Sequence, residues 1–546
     1  MSRSSLVDRL RSKRQLFFTL SALVGLAAAT FSRARATNFR GYDEWVNVSL
    51  LSQGILEFPY ANRPLNLIWS LPAWALFPDR LTGFLVFHVA WIALGGVVVF
   101  LIARRLLGGA TLFAFLAGAF TIVWAPSDRS RLCTVQMILY SGCTFGALLA
   151  AWLMLEAWSR RKLVLAAAAV VAGAAAVMSF EATLAPLGLV PLLFLASGGT
   201  RAPHRLALWT LATFAFLAAG GLRAALPRWT DPERVAYQTG TGPDFAPGPL
   251  AVRTLKQLRR HIAPVVEYPP TVGAWPIVPM ALAVFAVGVV VAARRPEAEA
   301  RHAARPSPGA LLVAAGFGLL WAIASYLPFV LNPDTHGGER MQFLSGPGVG
   351  VLLAAAAVGA ASLVPPRGRP FVAGLLGAWV VAGGVMRTAA LQTEWWDRKT
   401  AYPDQRRSLL ELTAVVPDVA PGTLLIVVGS GTWPLDVTFH HAVRYLYEGR
   451  GVGHAIDALE YLYGLRFDAS GAQSIPRPVL HRSWRELPTR HAYAAIVAVR
   501  ENENGRVHLL ETWPAELPAL PPGATYAPRA RIRFGPRLPR LKILER

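Results

Sequence analysis

Read from its amino terminus, the chain alternates apolar runs of about 17 to 23 residues with short polar loops, the pattern of helices that cross a membrane. The runs fall at about 15–31, 81–103, 110–124, 137–157, 162–178, 183–197, 205–226, 272–293, 309–330, 341–363 and 370–390, which predicts eleven spans. The stretch Leu65–Phe77 is apolar too, but it is short for a span and Pro72 interrupts it, so it reads as an interfacial or re-entrant helix. Residues 227–271 are rich in Pro and Gly and then turn basic and helical at Val252–His261, as a lid over a cavity would.

From Gln392 onward the pattern changes. Pro403–Val415 predicts an amphipathic helix and Thr423–Val428 a strand. Ala442–Tyr447 and His454–Tyr463 read as helical. Ala494–Val499 and Arg506–Glu511 read as strands joined by a turn at Asn504-Gly505, and Pro528–Arg546 as a tail or an edge strand. The predicted fold class is an all-α polytopic membrane protein over residues 1–390, followed by a C-terminal extracytoplasmic α/β domain over 391–546.

Composition strengthens the membrane reading: 54% of the 546 residues are hydrophobic, 16% are charged, and the mean hydropathy is +0.39. The net charge of +22 would suit nucleic acid, but the arginines cluster in short loops between apolar runs, which fits anionic membrane lipid instead. Arg104-Arg105, Arg160-Arg161-Lys162, Arg201 with Arg205, Arg294 through Arg305, and Arg367 with Arg369 all fall in alternate loops. That asymmetry predicts a multi-pass protein of the cell membrane with its amino terminus in the cytoplasm. The first run follows Arg3, Arg9, Arg11, Lys13 and Arg14 without a convincing cleavage site, so it reads as an uncleaved helix. Eleven spans then put the C-terminal domain outside. Cys133 and Cys143 form neither a metal spacing nor a disulfide framework.

The candidate chemistry lies in the loops predicted to face outward. Asp43 and Glu44 follow the first run, and a carboxylate at a membrane face acts as a general base where a pocket raises its pKa. Adjacent side chains diverge, so one of the two faces the cavity, and Asp43 is the choice. Arg63 and Arg340 offer planar forks suited to phosphate, although an interfacial arginine that merely snorkels looks the same in sequence. Asp128, Arg129 and Arg131 share one loop and are able to pair among themselves. Glu181, between two apolar runs, is an ionisable group at the hydrocarbon boundary, and His336 and Glu339 precede Arg340. No cofactor is required by these groups. A divalent metal on the acidic pair is possible chemistry that no further ligand supports.

From Asp43 to Trp74 the chain resembles the first outer loop of the GT-C superfamily of membrane glycosyltransferases, which includes protein O-mannosyltransferases and lipid A aminoarabinose transferases. The resemblance rests on Asp43-Glu44, Leu51-Ser52-Gln53-Gly54, Phe58-Pro59, Tyr60-Ala61-Asn62-Arg63-Pro64 and the amphipathic Leu65–Phe77, about thirty residues in all. The chain departs from the family pattern at Arg63, where a Lys is frequent, and around Asp128. The segment GERMQFLSGPGVG from Gly338 resembles the Arg-aromatic-Leu-x-Pro stretch of several relatives.

The resemblance implies a polyprenyl-phosphate sugar as donor and a glycan, lipid or protein hydroxyl as acceptor. It implies Asp43 as general base, arginines on the leaving phosphate, inversion at the anomeric carbon and no requirement for a metal. Two other functions use a similar cavity: a transporter or flippase for lipid-linked saccharides, and a ligase or polymerase. The early acidic pair favours the transferase.

Overall fold

The computed structural model describes residues 3–34, 43–56, 63–124, 135–196, 208, 211–212, 215–222, 244–267, 276–294, 307–331, 341–395, 401–429, 431–459, 462–477, 487–535 and 538–545. The helices, in chain order, are α1 (Arg3–Thr30), α2 (Asp43–Ser52), α3 (Leu71–Leu76), α4 (Leu81–Leu106), α5 (Thr111–Val123), α6 (Ile138–Arg160) and α7 (Leu163–Ser179). They continue with α8 (Leu184–Leu187), α9 (Val190–Ala196), α10 (Pro247–Ile262), α11 (Pro264–Glu267), α12 (Ile277–Ala293), α13 (Pro308–Leu331), α14 (Gln342–Ala361) and α15 (Arg369–Glu394). Two more, α16 (Tyr402–Val415) and α17 (Asp436–Leu446), belong to the α/β part.

Among the described residues, five helices are long and apolar enough to cross a membrane: α4, α6, α13, α14 and α15. Of the other expected spans, α1 is one continuous helix of 28 residues, and α5, α7 and α12 are shorter, at 13, 17 and 17 residues. The run at 183–197 is not one helix. A 3-10 turn at Glu181–Thr183 leads into α8 and α9, because Pro186 and Pro191 lack the N–H groups a continuous helix needs and Gly188 weakens it. The run at 205–226 is described only in part, and it is helical at 208, 211–212 and 215–222. Leu65–Phe77 forms only a 3-10 turn, Ile68–Ser70, and the six residues of α3.

The bundle closes through small residues. An added Cβ at Gly318 would lie 2.6 Å from the Gly348 carbonyl oxygen, and one at Gly348 would lie 2.3 Å from that of Gly318, so α13 and α14 touch backbone to backbone. Charge sorts by end. Arg105 at the close of α4 donates to Ser159 near the close of α6 at 2.7 Å, and Gln15 of α1 donates to Val291 O near the close of α12 at 2.9 Å. Arg104, Arg105, Arg160, Arg294 and Arg369 therefore share one end of the bundle, as the loop pattern predicted.

The α/β part sits at the opposite end. Its main sheet has the order β3 (Gly451–Ala455), β2 (Thr423–Val428), β7 (Ile496–Glu501) and β8 (Val507–Leu509). Strands β3, β2 and β7 are parallel, with Thr423 opposite Gly451 and Leu424 opposite Ile496. Strand β2 is buried along its length, so its continuous apolar run is what a central parallel strand requires. A second sheet, β4 (Tyr463–Asp468), β5 (Gly471–Pro476) and β6 (Thr489–His491), is antiparallel. The C-terminal stretch supplies an edge strand, β9 (Ile532–Arg533) on β1 (Asp418–Val419), and then a 3-10 turn with Leu541, Ile543 and Leu544 buried. His454–Tyr463 is not helical: His454 and Ala455 end β3 and Tyr463 opens β4. Pairing with β2, on which α17 covers β3, overrides the local helical pattern.

The two parts share a core. Trp45, Val48 and Leu51 of α2 are buried with Tyr402, Leu409, Tyr445 and Leu446 of the α/β part. Trp45 Nε1 donates to Gln405 Oε1 at 3.0 Å, Tyr445 OH to Asp79 Oδ1 at 2.5 Å, and Arg540 Nη1 to Ser52 Oγ at 3.1 Å.

Inside the α/β part, three buried histidines dictate an acid sensitivity. His440 stacks on Tyr463 with centroids 3.9 Å apart, and His441 Nε2 lies 3.3 Å from the Tyr463 hydroxyl. Burial, reinforced by neighbouring cations, holds His440 and His441 well below the ordinary value, and burial lowers His454 to about 4. A folded-state pKa held below the unfolded one gives stability that is present above about 6.5 and lost as pH falls below it. Asp436 acts in the opposite sense, because burial pushes its carboxyl up to about 6 despite backbone N–H bonds from Leu462, Tyr463 and Val437. Three histidines outweigh one acid. The α/β part should be about 2 kcal/mol less stable at pH 6 than at pH 8. Denaturant unfolding followed at the two pH values checks this, and equal midpoints would contradict it.

Candidate functional site

The site is built from the Arg63-Pro64 element upward. Leu67 N donates to Leu56 O at 2.9 Å, which folds this element back onto the chain just after α2. Leu65 N donates to Met178 O at 3.4 Å, and Ser179 Oγ donates to Leu65 O at 2.8 Å, which fixes the element to the end of α7. Trp69 locks the arrangement. Its indole N–H donates to Ser179 Oγ at 3.0 Å, and its ring fills a notch left by Gly142 and Gly146 of α6. An added Cβ there would lie 2.4 Å and 2.6 Å from the ring, so only glycine admits it.

That clamp brings Arg63 onto Glu181. Nε donates to Oε2 at 3.0 Å and Nη2 to Oε1 at 2.8 Å, a two-point fork on a carboxylate. The guanidinium also lies 4.6 Å from the centre of the Phe180 ring, which Tyr140 meets edge-on at 5.1 Å. The Arg63 side chain is 16% exposed and that of Glu181 41% exposed, so the pair opens to one side. Glu181 engages Nε and Nη2, so the Nη1 edge of the planar fork is turned away from the carboxylate.

Of the acidic pair, Asp43 is the first residue of α2, and its side chain lies outside the described residues. Glu44 is fully buried, in a helix that packs against α17. Tyr60, Asp128, Arg129, Arg131, His336, Glu339 and Arg340 also lie outside the described residues. The structure therefore unites two of the predicted groups, Arg63 and Glu181, and says nothing of the union of the others. Among the described residues, no three His, Cys, Asp or Glu side chains gather as metal ligands.

Sequence reasoning missed His88. It is buried in α4, with Nδ1 3.2 Å from Ser141 Oγ and its ring edge-on to Phe343 at 5.7 Å. Beside it a cavity of about 30 Å³, room for about one water, is lined by Thr121, Ser141, Thr144 and Gln342 among apolar neighbours. The available signal was an ionisable residue inside the apolar run LTGFLVFHVAWIALG. A larger cavity of about 300 Å³, between α4, α5, α6, α13 and α14, is lined by Val99, Phe113, Val313, Phe317 and other apolar residues. It holds no titratable group, so it suits hydrocarbon rather than chemistry.

No protein-family pattern matches the chain, and no curated protein matches it. Solved structures give distant likenesses, among them three at 14% identity. ArnT from Cupriavidus metallidurans, bound to undecaprenyl phosphate, aligns over 83% of this chain and 86% of its own, with a TM-score of 0.40. The oligosaccharyltransferase of Archaeoglobus fulgidus tethered to an acceptor peptide aligns over 80% of this chain and 64% of its own, with a TM-score of 0.40. The same archaeal enzyme in complex with zinc and sulfate aligns over 80% and 62%, with a TM-score of 0.39, so this chain spans less than two thirds of the archaeal protein.

Proposed function

We propose that the protein is a membrane glycosyltransferase of GT-C type, which moves a sugar from a polyprenyl-phosphate donor to an acceptor hydroxyl on the face that carries the α/β part. The observation that carries this reading is the Arg63–Glu181 pair. It is a guanidinium fork clamped at the end of the bundle, held by one carboxylate and a ring, with an edge left for a phosphate.

In this reading the acceptor oxygen attacks the anomeric carbon and the bond from that carbon to the phosphate oxygen breaks. The acceptor proton passes to a carboxylate of the Asp43-Glu44 pair, with Asp43 preferred. The electron pair of the broken bond stays on the phosphate, whose growing charge Arg63 meets, with Arg340 or Arg131 as further cations. Attack from the face opposite the phosphate inverts the anomeric centre. The donor phosphate is already an activated leaving group, so the scheme calls on no metal. The amino terminus is cytoplasmic and residues 391–546 form the extracytoplasmic domain.

Sealed proteoliposomes test the reading. Donor in the leaflet facing the α/β part should be consumed, with label appearing in the acceptor, while donor in the other leaflet persists. A protein that equilibrates donor between leaflets and releases no sugar would be a flippase, and the proposal would fall.

A further inference from the structure

Helix α10 has a packed side and an outward one. One side is packed into the bundle: Leu258 and His261 are buried, with Leu250, Ile262 and Val265 against the same core. His261 pins it, with Nδ1 3.0 Å from both Tyr326 OH of α13 and Ser345 Oγ of α14, while its carbonyl accepts from Trp124 Nε1 at 2.9 Å. Arg253 Nη1 donates to Val330 O at 2.7 Å, and Asp244 N to Leu331 O at 2.7 Å. Helix α10 is thus held where α5 and α13 finish. Helix α5 is the antiparallel neighbour of α4, whose opening residues adjoin Asp79, the partner of Tyr445. So α10 lies at the end that carries the α/β part.

The rest of its surface is one outward arc that mixes two chemistries. Val252 and Leu255 are exposed on it, as is Val266 just beyond. Lys256, Arg259 and Arg260 are exposed on the same arc, Lys256 one turn beyond Val252 and Arg259 one turn beyond Leu255, and with Arg253 they make four cations within eight residues. Among the described residues, Asp244 pairs with Arg253, and Glu267 with Arg259 at 3.4 Å. The loop arginines Arg104, Arg105, Arg160, Arg294 and Arg369 gather at the opposite end of the bundle, so a cluster of four cations here runs against the asymmetry that orients the chain.

We propose that α10 is a docking surface for anionic phospholipid headgroups, seated in the interfacial layer of the leaflet on the α/β side. Val252 and Leu255 enter the upper acyl region and leave water. The long basic side chains beside them snorkel to the phosphates, where ammonium and guanidinium groups meet fixed negative charge. A wholly aqueous helix would have no use for the exposed apolar side chains, and a wholly buried one would not carry the cations. The occupant is bulk anionic lipid, because the cations are spread along an outward flank and not gathered around a pocket.

The test uses the full chain in nanodiscs of phosphatidylcholine with spin-labelled phosphatidylglycerol or spin-labelled phosphatidylcholine as probe. The wild type should select the anionic probe, and salt should weaken that selection. Each cation lost beside an anionic surface lowers association about fivefold, so Lys256→Gln/Arg259→Gln/Arg260→Gln should cut the selectivity by about tenfold or more. Leu255→Asp, which keeps the cations, should lower association of both probes. If the triple variant does not fold, Arg259→Gln alone should still lower selectivity by about threefold to fivefold. Unchanged selectivity in a folded variant would overturn the proposal. So would loss of undecaprenyl-phosphate binding with selectivity intact, since that would assign the cations to the donor.

Discussion

Asp43→Asn should lower turnover by at least about 10²-fold while donor binding survives, because a general base supplies about 10²- to 10⁴-fold and the amide cannot take the acceptor proton. The residue opens α2, a helix whose remaining length is committed to the core shared with the α/β part. That placement gives the two neighbours different surroundings. Glu44 is fully buried, so Glu44→Gln trades a buried charge for an amide of the same shape and should act first on stability. Steady-state rates with donor affinity and thermal midpoints, measured together on both variants, separate the roles. A mild Asp43→Asn beside a crippled Glu44→Gln would assign the base to Glu44.

Arg63→Ala should weaken donor binding by about 10- to 150-fold, the loss of one charged hydrogen bond of roughly 1.5–3 kcal/mol to phosphate. Its effect on stability should be small. Glu181 is 41% exposed, so solvent screens the pair and limits the cost of breaking it to about 1 kcal/mol. Arg63→Lys keeps the charge and loses the fork, and it should fall between wild type and Arg63→Ala. Glu181→Gln removes the competing carboxylate but leaves Phe180 under the guanidinium, so donor binding should be retained. A purely structural pair predicts the reverse: both partners lower the thermal midpoint alike, and neither changes donor affinity. Titration of undecaprenyl phosphate alongside a thermal melt distinguishes the two cases.

Much of this architecture was legible because its signals are local. Nine of the eleven apolar runs coincide with described helices, the run at 205–226 is helical where it is described, and Thr423–Val428 is a strand over those same residues. The exception, 183–197, failed where proline and glycine broke a run whose hydropathy alone looked continuous. The strand at His454–Ala455 was misread because a buried parallel strand is set by its partner β2, not by its own pattern. The candidate site was legible only as parts. Arg63 and Glu181 lie 118 residues apart, and nothing in either neighbourhood announces that they meet. Their union depends on Trp69 entering a notch between Gly142 and Gly146, a shape that exists only once α6 has packed. His88 was missed for a simpler reason, since one polar residue barely alters the hydropathy of a long apolar run.

The central claim is sugar transfer from a polyprenyl-phosphate donor, and purified protein in nanodiscs tests it most directly. A panel of radiolabelled polyprenyl-phosphate sugars is offered together with glycan, lipid and peptide acceptors. The prediction is that at least one sugar moves to an acceptor, with one polyprenyl phosphate released per sugar and the anomeric configuration inverted. Donor that binds while no sugar leaves it, across the whole panel, would contradict the account.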